Sequence, residues 1–321
     1  KNTVGEHSMK QFQSFLEEMA KVVVGRRKEF KLLFAALLTE GHVLFEDLPG
    51  TGKTTMMKAF AKGLDCHFSR IQCTPDLLPA DVLGSSVYNP KTNDFHLRKG
   101  PVFTNVLLVD EINRALPRTQ SSLLECMEER QVTIEGKTFQ LQSPFIVLAT
   151  QNPVDSEGTF PLPEAQMDRF LMKLKLGYPS LEEEEKMLAQ VGDDIPYDKI
   201  EHVFTPDAIR ELQRKVKDVQ VHPDIIQYIM KLAHETRHHP LIAIGVSPRA
   251  SKALYKVVKS WALLNGRSYV IPDDVKQLIV PVWSHRLMMK TEGKVSEMSA
   301  EKLLEEILST VALPEEQVVR L

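Results

Sequence analysis

The turn Pro49-Gly50-Thr51-Gly52-Lys53-Thr54 follows a short apolar segment and precedes a run of helical spacing. Glycines there let backbone N–H groups approach phosphate oxygens, and the helix that follows presents its positive end to them. In such a loop Lys53 reaches β- and γ-phosphates, the Thr54 hydroxyl binds Mg²⁺, and Thr55 lies next in the same cradle. The strict pattern G-x-x-x-x-G-K-[ST] wants glycine at position 47, where this chain has Asp47. A carboxylate so near a triphosphate is repulsive unless it points away. A second apolar run, Val106 to Val109, ends in Asp110-Glu111. Two acids at the edge of a buried strand are costly unless they act on a cation or a water. Asp110 would support Mg²⁺, and Glu111 would orient and polarise an attacking water. A third apolar run ends in Ala149-Thr150-Gln151-Asn152, where the neutral Asn152 amide could hold that water beside the γ-phosphate. Each group alone reads equally well as a turn residue. Three of them, each at the C-terminal end of its own strand, point to one site.

Those groups need a scaffold, and the hydrophobic pattern supplies one. His42–Glu46, Phe68–Gln72, Val106–Asp110, Phe145–Thr150 and Leu171–Leu176 read as about five short strands separated by helices. That alternation predicts a parallel sheet covered on both faces. Met57, Phe60, Ala61 and Leu64 recur at helical spacing behind the glycine-rich turn, and Gln120, Leu123, Leu124 and Met127 behind Pro117. Two helices open the chain, one on Phe12, Phe15, Leu16 and Met19 and one on Phe30, Leu33, Phe34 and Leu37. Two hairpins interrupt the alternation: Val87-Tyr88 against Phe95–Leu97, and Val132–Ile134 against Phe139–Leu141. Gly177-Tyr178-Pro179-Ser180 marks a boundary, after which the pattern is helical. Ser180 with Glu183 forms a capping box, so the acidic run Glu182–Glu185 reads as a helix start. Thr205-Pro206, His222-Pro223, Ser247-Pro248 and Pro272 open further helices, and Leu303, Leu304, Ile307, Leu308 and Val311 stripe a last one. The plan is an α/β domain over residues 1–178 and a smaller helical domain over residues 179–321.

Composition narrows the classes. The chain has 321 residues, a net charge of −3, 43% hydrophobic and 26% charged residues. These values suit a folded globular protein and argue against a strongly basic nucleic-acid surface. Three cysteines, Cys66, Cys73 and Cys126, with no C-x-x-C, suit reduced packed thiols rather than a disulfide framework or a cysteine-rich zinc site. No apolar run reaches the ~18 residues of a membrane span. Lys1–Lys10 has no apolar signal-peptide core. The expectation is a cytoplasmic protein.

Three further signals compete with structural readings. His234-Glu235-Thr236-Arg237-His238 matches H-E-x-x-H, a zinc-protease pattern. His239-Pro240 follows at once, so the helix ends where a rigid ligand is needed, and no third ligand accompanies it. Cys66-His67 with Cys73 reads as packing. Lys91, His96, Arg98 and Lys99 cluster on one hairpin and read as a solvated face.

With these residues in place, the chain resembles the AAA+ ATPases, and more narrowly the MoxR family of the magnesium-chelatase-like clade. The phrases that carry the resemblance are EDLPGTGKT, GPVFTNVLLVDEINRA, ATQNPVDSEGTFPLPEAQMDRFLM and GVSPRA, with support from RIQCTPDLLPADVLG and GRSYVIPDDV. They run from about Val23 to Arg286. The resemblance implies a P-loop three-layer αβα domain with a helical lid, binding ATP and Mg²⁺. It makes Lys53 and Thr54 the Walker A residues, with Pro49, Gly50, Thr51 and Gly52 in the same loop, and Asp110 and Glu111 Walker B. Val24 and Gly25 would line the adenine pocket, and Asn152 resembles sensor 1. Arg249 resembles sensor 2, reaching the γ-phosphate from the lid. Arg169 resembles the arginine finger that acts on a neighbouring subunit's ATP; its bland alternative is a surface ion pair with Asp168 or Glu164. The family often has Glu-Asp or Glu-Gly ahead of the phosphate loop, which softens the departure at Asp47. Gln commonly stands where this chain has Arg26. The resemblance also implies a hexameric ring, hairpins facing its pore, and partners with von Willebrand factor A domains.

The leading expectation is therefore an ATP-driven, chaperone-like remodeller of a partner complex. A nucleic-acid motor is the second reading, opposed by the net charge and the lack of an appended DNA-binding module. A non-catalytic nucleotide-gated binder ranks last, because Glu111, Asn152 and Arg169 are all present. No Asn-Lys-x-Asp guanine motif occurs.

Overall fold

The computed structural model describes residues 3–47, 50, 52–152, 157–189, 197–295 and 298–314. Two helices, α1 (Thr3–Ala20) and α2 (Arg27–Leu38), precede strand β1 (Val43–Asp47) and helix α3 (Lys53–Gly63). Strand β2 (Phe68–Gln72) leads to the short α4 (Pro79–Leu83) and the hairpin β3 (Gly84–Asn89) and β4 (Asp94–Lys99). Then come β5 (Val106–Asp110), α5 (Pro117–Glu129) and a second hairpin, β6 (Gln131–Ile134) and β7 (Lys137–Gln140). Strand β8 (Ile146–Gln151), one helical turn α6 (Glu164–Met167) and β9 (Met172–Leu176) complete the first half.

The main sheet has five strands in the order β2-β5-β8-β1-β9, and every pairing is parallel. All residues of β5 are buried, as is β8 up to Thr150, which is why both read as unbroken apolar runs. In register, Gln72 lies beside Asp110, and Val109 beside Ala149. The polar ends of β2, β5 and β8 are thereby brought to one edge. Both expected hairpins are present as separate antiparallel pairs.

The second half is built on α7 (Leu181–Ala189), α8 (Pro206–Val216), α9 (Pro223–His238), α10 (Pro248–Leu264), α11 (Pro272–Trp283), α12 (Thr291–Val295) and α13 (Ala300–Thr310). The caps follow the sequence. Ser180 and Glu183 exchange bonds, with the Ser180 N–H donating to Glu183 (2.9 Å) and the Glu183 N–H to Ser180 Oγ (3.2 Å). Thr205 and Ser247 each accept from the backbone three residues on. A two-stranded antiparallel pair, β10 (Ile242–Ile244) with β11 (Met288–Met289), is added to these helices.

The two halves share a core. One buried cluster runs from α1, α2 and α3 across one face of the sheet into α8 to α11 and α13. Phe12, Phe15, Phe30, Phe34, Phe60 and Phe204 interlock at its centre, with ring centroids 5.0–6.5 Å apart. A smaller cluster fills the other face beneath α5. His42, fully buried at the head of β1, donates from Nε2 to the Met127 carbonyl and accepts the Val147 N–H at Nδ1, both at 2.9 Å. Burial pushes its pKa down to about 3, so it stays neutral.

Candidate nucleotide site

A cavity of about 240 Å³ opens at the C-terminal edge of the sheet. Gly50, Gly52, Lys53, Thr54 and Thr55 form one wall, Asp110 and Glu111 another, and Thr150, Gln151 and Asn152 a third. Lys53 and Thr54 are the first two residues of α3, so the positive end of that helix faces the cavity. Gly50 and Gly52 have φ of +83° and +78°, and a Cβ added to either would meet no atom within 4 Å among the described residues beyond its chain neighbours. The backbone demands glycine there, and the space that a side chain would take is open for phosphate oxygens. Pro49 and Thr51, assigned to the same loop, lie outside the described residues.

The strand ends carry a linked set of polar groups. Asp110, 7% exposed, accepts from Arg70 Nε at 2.6 Å and from Thr150 Oγ1 at 3.4 Å. Thr150 Oγ1 in turn accepts the Glu111 N–H at 2.9 Å. Glu111 has φ +55° and ψ +54°, a left-handed conformation rare outside glycine. That turn swings its half-exposed side chain out of the strand, into contact with Arg114 at 3.3 Å. Strain of this kind persists where the surroundings hold it, and it collects at functional sites. Asp110 and Thr54 offer hard oxygen donors in one cavity, a set that fits Mg²⁺, which takes one or two protein oxygens and fills its shell with phosphate and water.

Arg70, Gln72 and Thr150 also line the cavity, and the sequence reading gave them no role. The signal for Arg70 and Gln72 is two polar residues two apart, and so on one face, at the C-terminal half of a strand. For Thr150 it is a hydroxyl closing a fully apolar run.

Four assigned residues lie apart from the cavity lining. Gly25 has φ +73°, with the Glu183 carboxylate against it, and Val24 is half-buried beside it. Next to them Arg26 donates to the Gly177 carbonyl at 2.8 Å, tying the α1–α2 loop to the boundary segment. Arg169 and Arg249 meet at Glu128 of α5. Arg169 Nε is 3.3 Å from Glu128 Oε2, and Arg249 Nη2 is 2.8 Å from Glu128 Oε1. Arg249 Nε also reaches Asp168 at 3.3 Å. The ion-pair partner of Arg169 is thus Glu128, from a distant helix, rather than the Asp168 or Glu164 beside it in sequence. Arg249 is directed to the same carboxylate instead of into its own chain's cavity. In the H-E-x-x-H stretch, α9 ends at His238, and no group of three or more metal-capable side chains occurs among the described residues.

Residues 42–172 match the model of the ATPase family associated with various cellular activities (AAA), and residues 234–307 that of the AAA lid domain. The chain is 42% identical to Chaperone MoxR1 of Mycobacterium tuberculosis, over 94% of this chain and 82% of that one. It belongs to the MoxR family of AAA+ ATPases. It is also 50% identical to YeaC of Bacillus subtilis, which is uncharacterized, over 93% of both chains. A solved structure from Cytophaga hutchinsonii, assigned as an ATPase, superposes with a TM-score of 0.91 at 37% identity, covering 98% of each chain. In this MoxR-family chain, then, the AAA unit is followed by a lid domain. No helix among the described residues of this member is long and apolar enough to cross a membrane.

Proposed function

We propose that this chain binds ATP with Mg²⁺ in the cavity at the sheet edge and hydrolyses it to remodel or mature a partner protein complex. The observation that carries the reading is convergence. Lys53 and Thr54 at the start of α3 share one cavity with Asp110 and Glu111 at the end of β5 and Asn152 just past the end of β8. Lys53 and the loop backbone hold the β- and γ-phosphates. Thr54 and Asp110 hold the metal ion, which supplies charge neutralisation on the phosphates. Glu111 accepts a proton from a water that Asn152 orients, and that water's oxygen attacks the γ-phosphorus. The bond to the β–γ bridging oxygen breaks, leaving ADP and inorganic phosphate.

Arg169 and Arg249 gather on Glu128, outside this chain's own cavity lining. That placement favours both acting on the ATP of a neighbouring subunit, which replaces Glu128 as their anion. The proposed assembly is a closed ring, a hexamer by family resemblance. Proteins with von Willebrand factor A domains are the proposed partners. The chaperone role given to MoxR1 supports the remodelling reading, and three free thiols suit a reducing cytoplasm.

The test is steady-state ATPase rate against protein concentration, with Mg²⁺, for the wild type and Arg169→Ala. Specific activity is expected to climb with concentration and to collapse in the variant. A flat rate, untouched by the substitution, would refute completion of the site in trans.

A further inference from the structure

Arg169 sits in a segment whose backbone is gripped from the lid. A 3₁₀ turn, Ser284–Arg286, follows α11. Arg286 is 5% exposed, and its Nη2 donates to the Phe170 carbonyl at 2.9 Å and to the Asp168 carbonyl at 3.4 Å. Its Nη1 lies 3.4 Å from Asp168 Oδ1. The neighbouring His285 donates from Nε2 to the same Phe170 carbonyl at 2.8 Å. Phe170 is itself fully buried. The residues on both sides of Arg169 are therefore fixed by two lid side chains, while the Arg169 side chain points outward to Glu128.

Asp168 extends the linkage. Its Oδ1 faces the buried Arg286 and its Oδ2 faces the exposed Arg249. One carboxylate connects an interior guanidinium to a surface one. Burial lowers the Arg286 pKa to about 10 and Asp168 opposes that drop, so the group stays charged at neutral pH. A buried cation that donates to two carbonyls from one nitrogen and lies in ion-pair range of a carboxylate favours one arrangement of the strand-entry segment.

We propose that Arg286 is the positioning residue for the Arg169–Arg249 pair, transmitting the placement of the lid to the two arginines presented to a neighbouring subunit. The inference rests on the reading that Arg169 acts in trans. Arg286 touches no nucleotide. It sets where Arg169 starts and how Asp168 orients Arg249. A misplacement of about 1 Å in a catalytic group costs on the order of 10²-fold in rate.

The test uses the full chain with Arg286→Gln, measuring binding of a fluorescent ATP analogue and hydrolysis, alone and mixed with Glu111→Gln subunits. Those partners carry an inactive site but an intact Arg169. Expected are nucleotide binding within about twofold of wild type, hydrolysis down about 10²-fold, and recovery of hydrolysis in the mixture. A merely structural role predicts no recovery, because a disordered subunit cannot use its neighbour's arginine. Arg169→Ala mixed with Glu111→Gln runs alongside. Recovery there without recovery for Arg286→Gln overturns the positioning role. No recovery in either mixture overturns the trans reading, and the positioning role with it. Should Arg286→Gln fail to fold, Arg286→Lys keeps the charge toward Asp168 but cannot bridge both carbonyls. It is expected to lose hydrolysis and recover in the mixture, and wild-type hydrolysis would overturn the proposal.

Discussion

Arg70 Nε donates to Asp110 Oδ2 at 2.6 Å, joining the middle of β2 to the end of β5 inside the candidate site. The carboxylate best placed to hold a metal ion is already paired with a guanidinium. Arg70 is half-exposed, so the pair can exchange. Removing it should ease cation entry: Arg70→Gln is expected to lower the Mg²⁺ concentration needed for half-maximal binding of a fluorescent nucleotide. A requirement that is unchanged or raised would mean Arg70 does not compete for Asp110.

Glu111→Gln keeps the size of the side chain and its backbone bond to Thr150 but removes the proton acceptor. Nucleotide binding should persist while hydrolysis falls by about 10²–10⁴-fold. Lys53→Ala should instead weaken binding itself. Equilibrium binding and single-turnover hydrolysis on both variants separate the roles, and equal losses of binding in the two would contradict the assignment.

Gly52→Ala tests the open space beside the loop. Among the described residues, its chain neighbours aside, no atom lies within 4 Å of the new methyl group, so the structural penalty there is that of the left-handed backbone, about 1–2 kcal/mol. The methyl would stand where phosphate is expected. Nucleotide affinity should drop well beyond what that penalty explains, with circular dichroism unchanged. Retained affinity would place the phosphates elsewhere.

Acid should destabilise the fold through two histidines. His42 and His285 are buried and neutral, each with its pKa pushed down to about 3 mainly by burial. The unfolded chain protonates near the ordinary histidine value of about 6.5, and the folded chain does not. Their full contribution is present above about pH 6.5 and is lost as pH falls toward 3, with a slope approaching about 1.4 kcal/mol per unit for each. Urea unfolding at pH 7.5, 6 and 5 should show the decline, and His42→Gln should flatten it. An identical slope in that variant would exclude His42 as a source.

The sheet was legible because its signals are local. VLLVD and FIVLAT are apolar at every interior position, and the helices that open at Leu181, Pro206, Pro248 and Ala300 each follow a Ser or Thr cap that stands in the sequence. The phosphate loop and the strand-end acids were legible for the same reason. Arg70 was not, because its role depends on β2 lying beside β5, a pairing made across the chain. The meeting of Arg169 and Arg249 at Glu128 was equally hidden: three elements far apart in sequence supply it. His42 looked like the start of a strand, and only packing shows that both ring nitrogens are used. Adjacency in sequence suggested Asp168 or Glu164 for Arg169, whereas tertiary geometry chose a carboxylate from α5.

The phenylalanine-rich cluster that runs from α1 and α2 into the lid restricts how the lid can move. A lid hung on a bare linker would swing as a hinged body. Here α10 packs directly on α1 and α2, so any displacement must proceed by shear, with side chains re-interlocking over a greasy surface and amplitudes of an ångström or two. In the proposed ring, changes in the nucleotide site would reach the neighbouring subunit as small, stiff translations rather than as an opening and closing jaw.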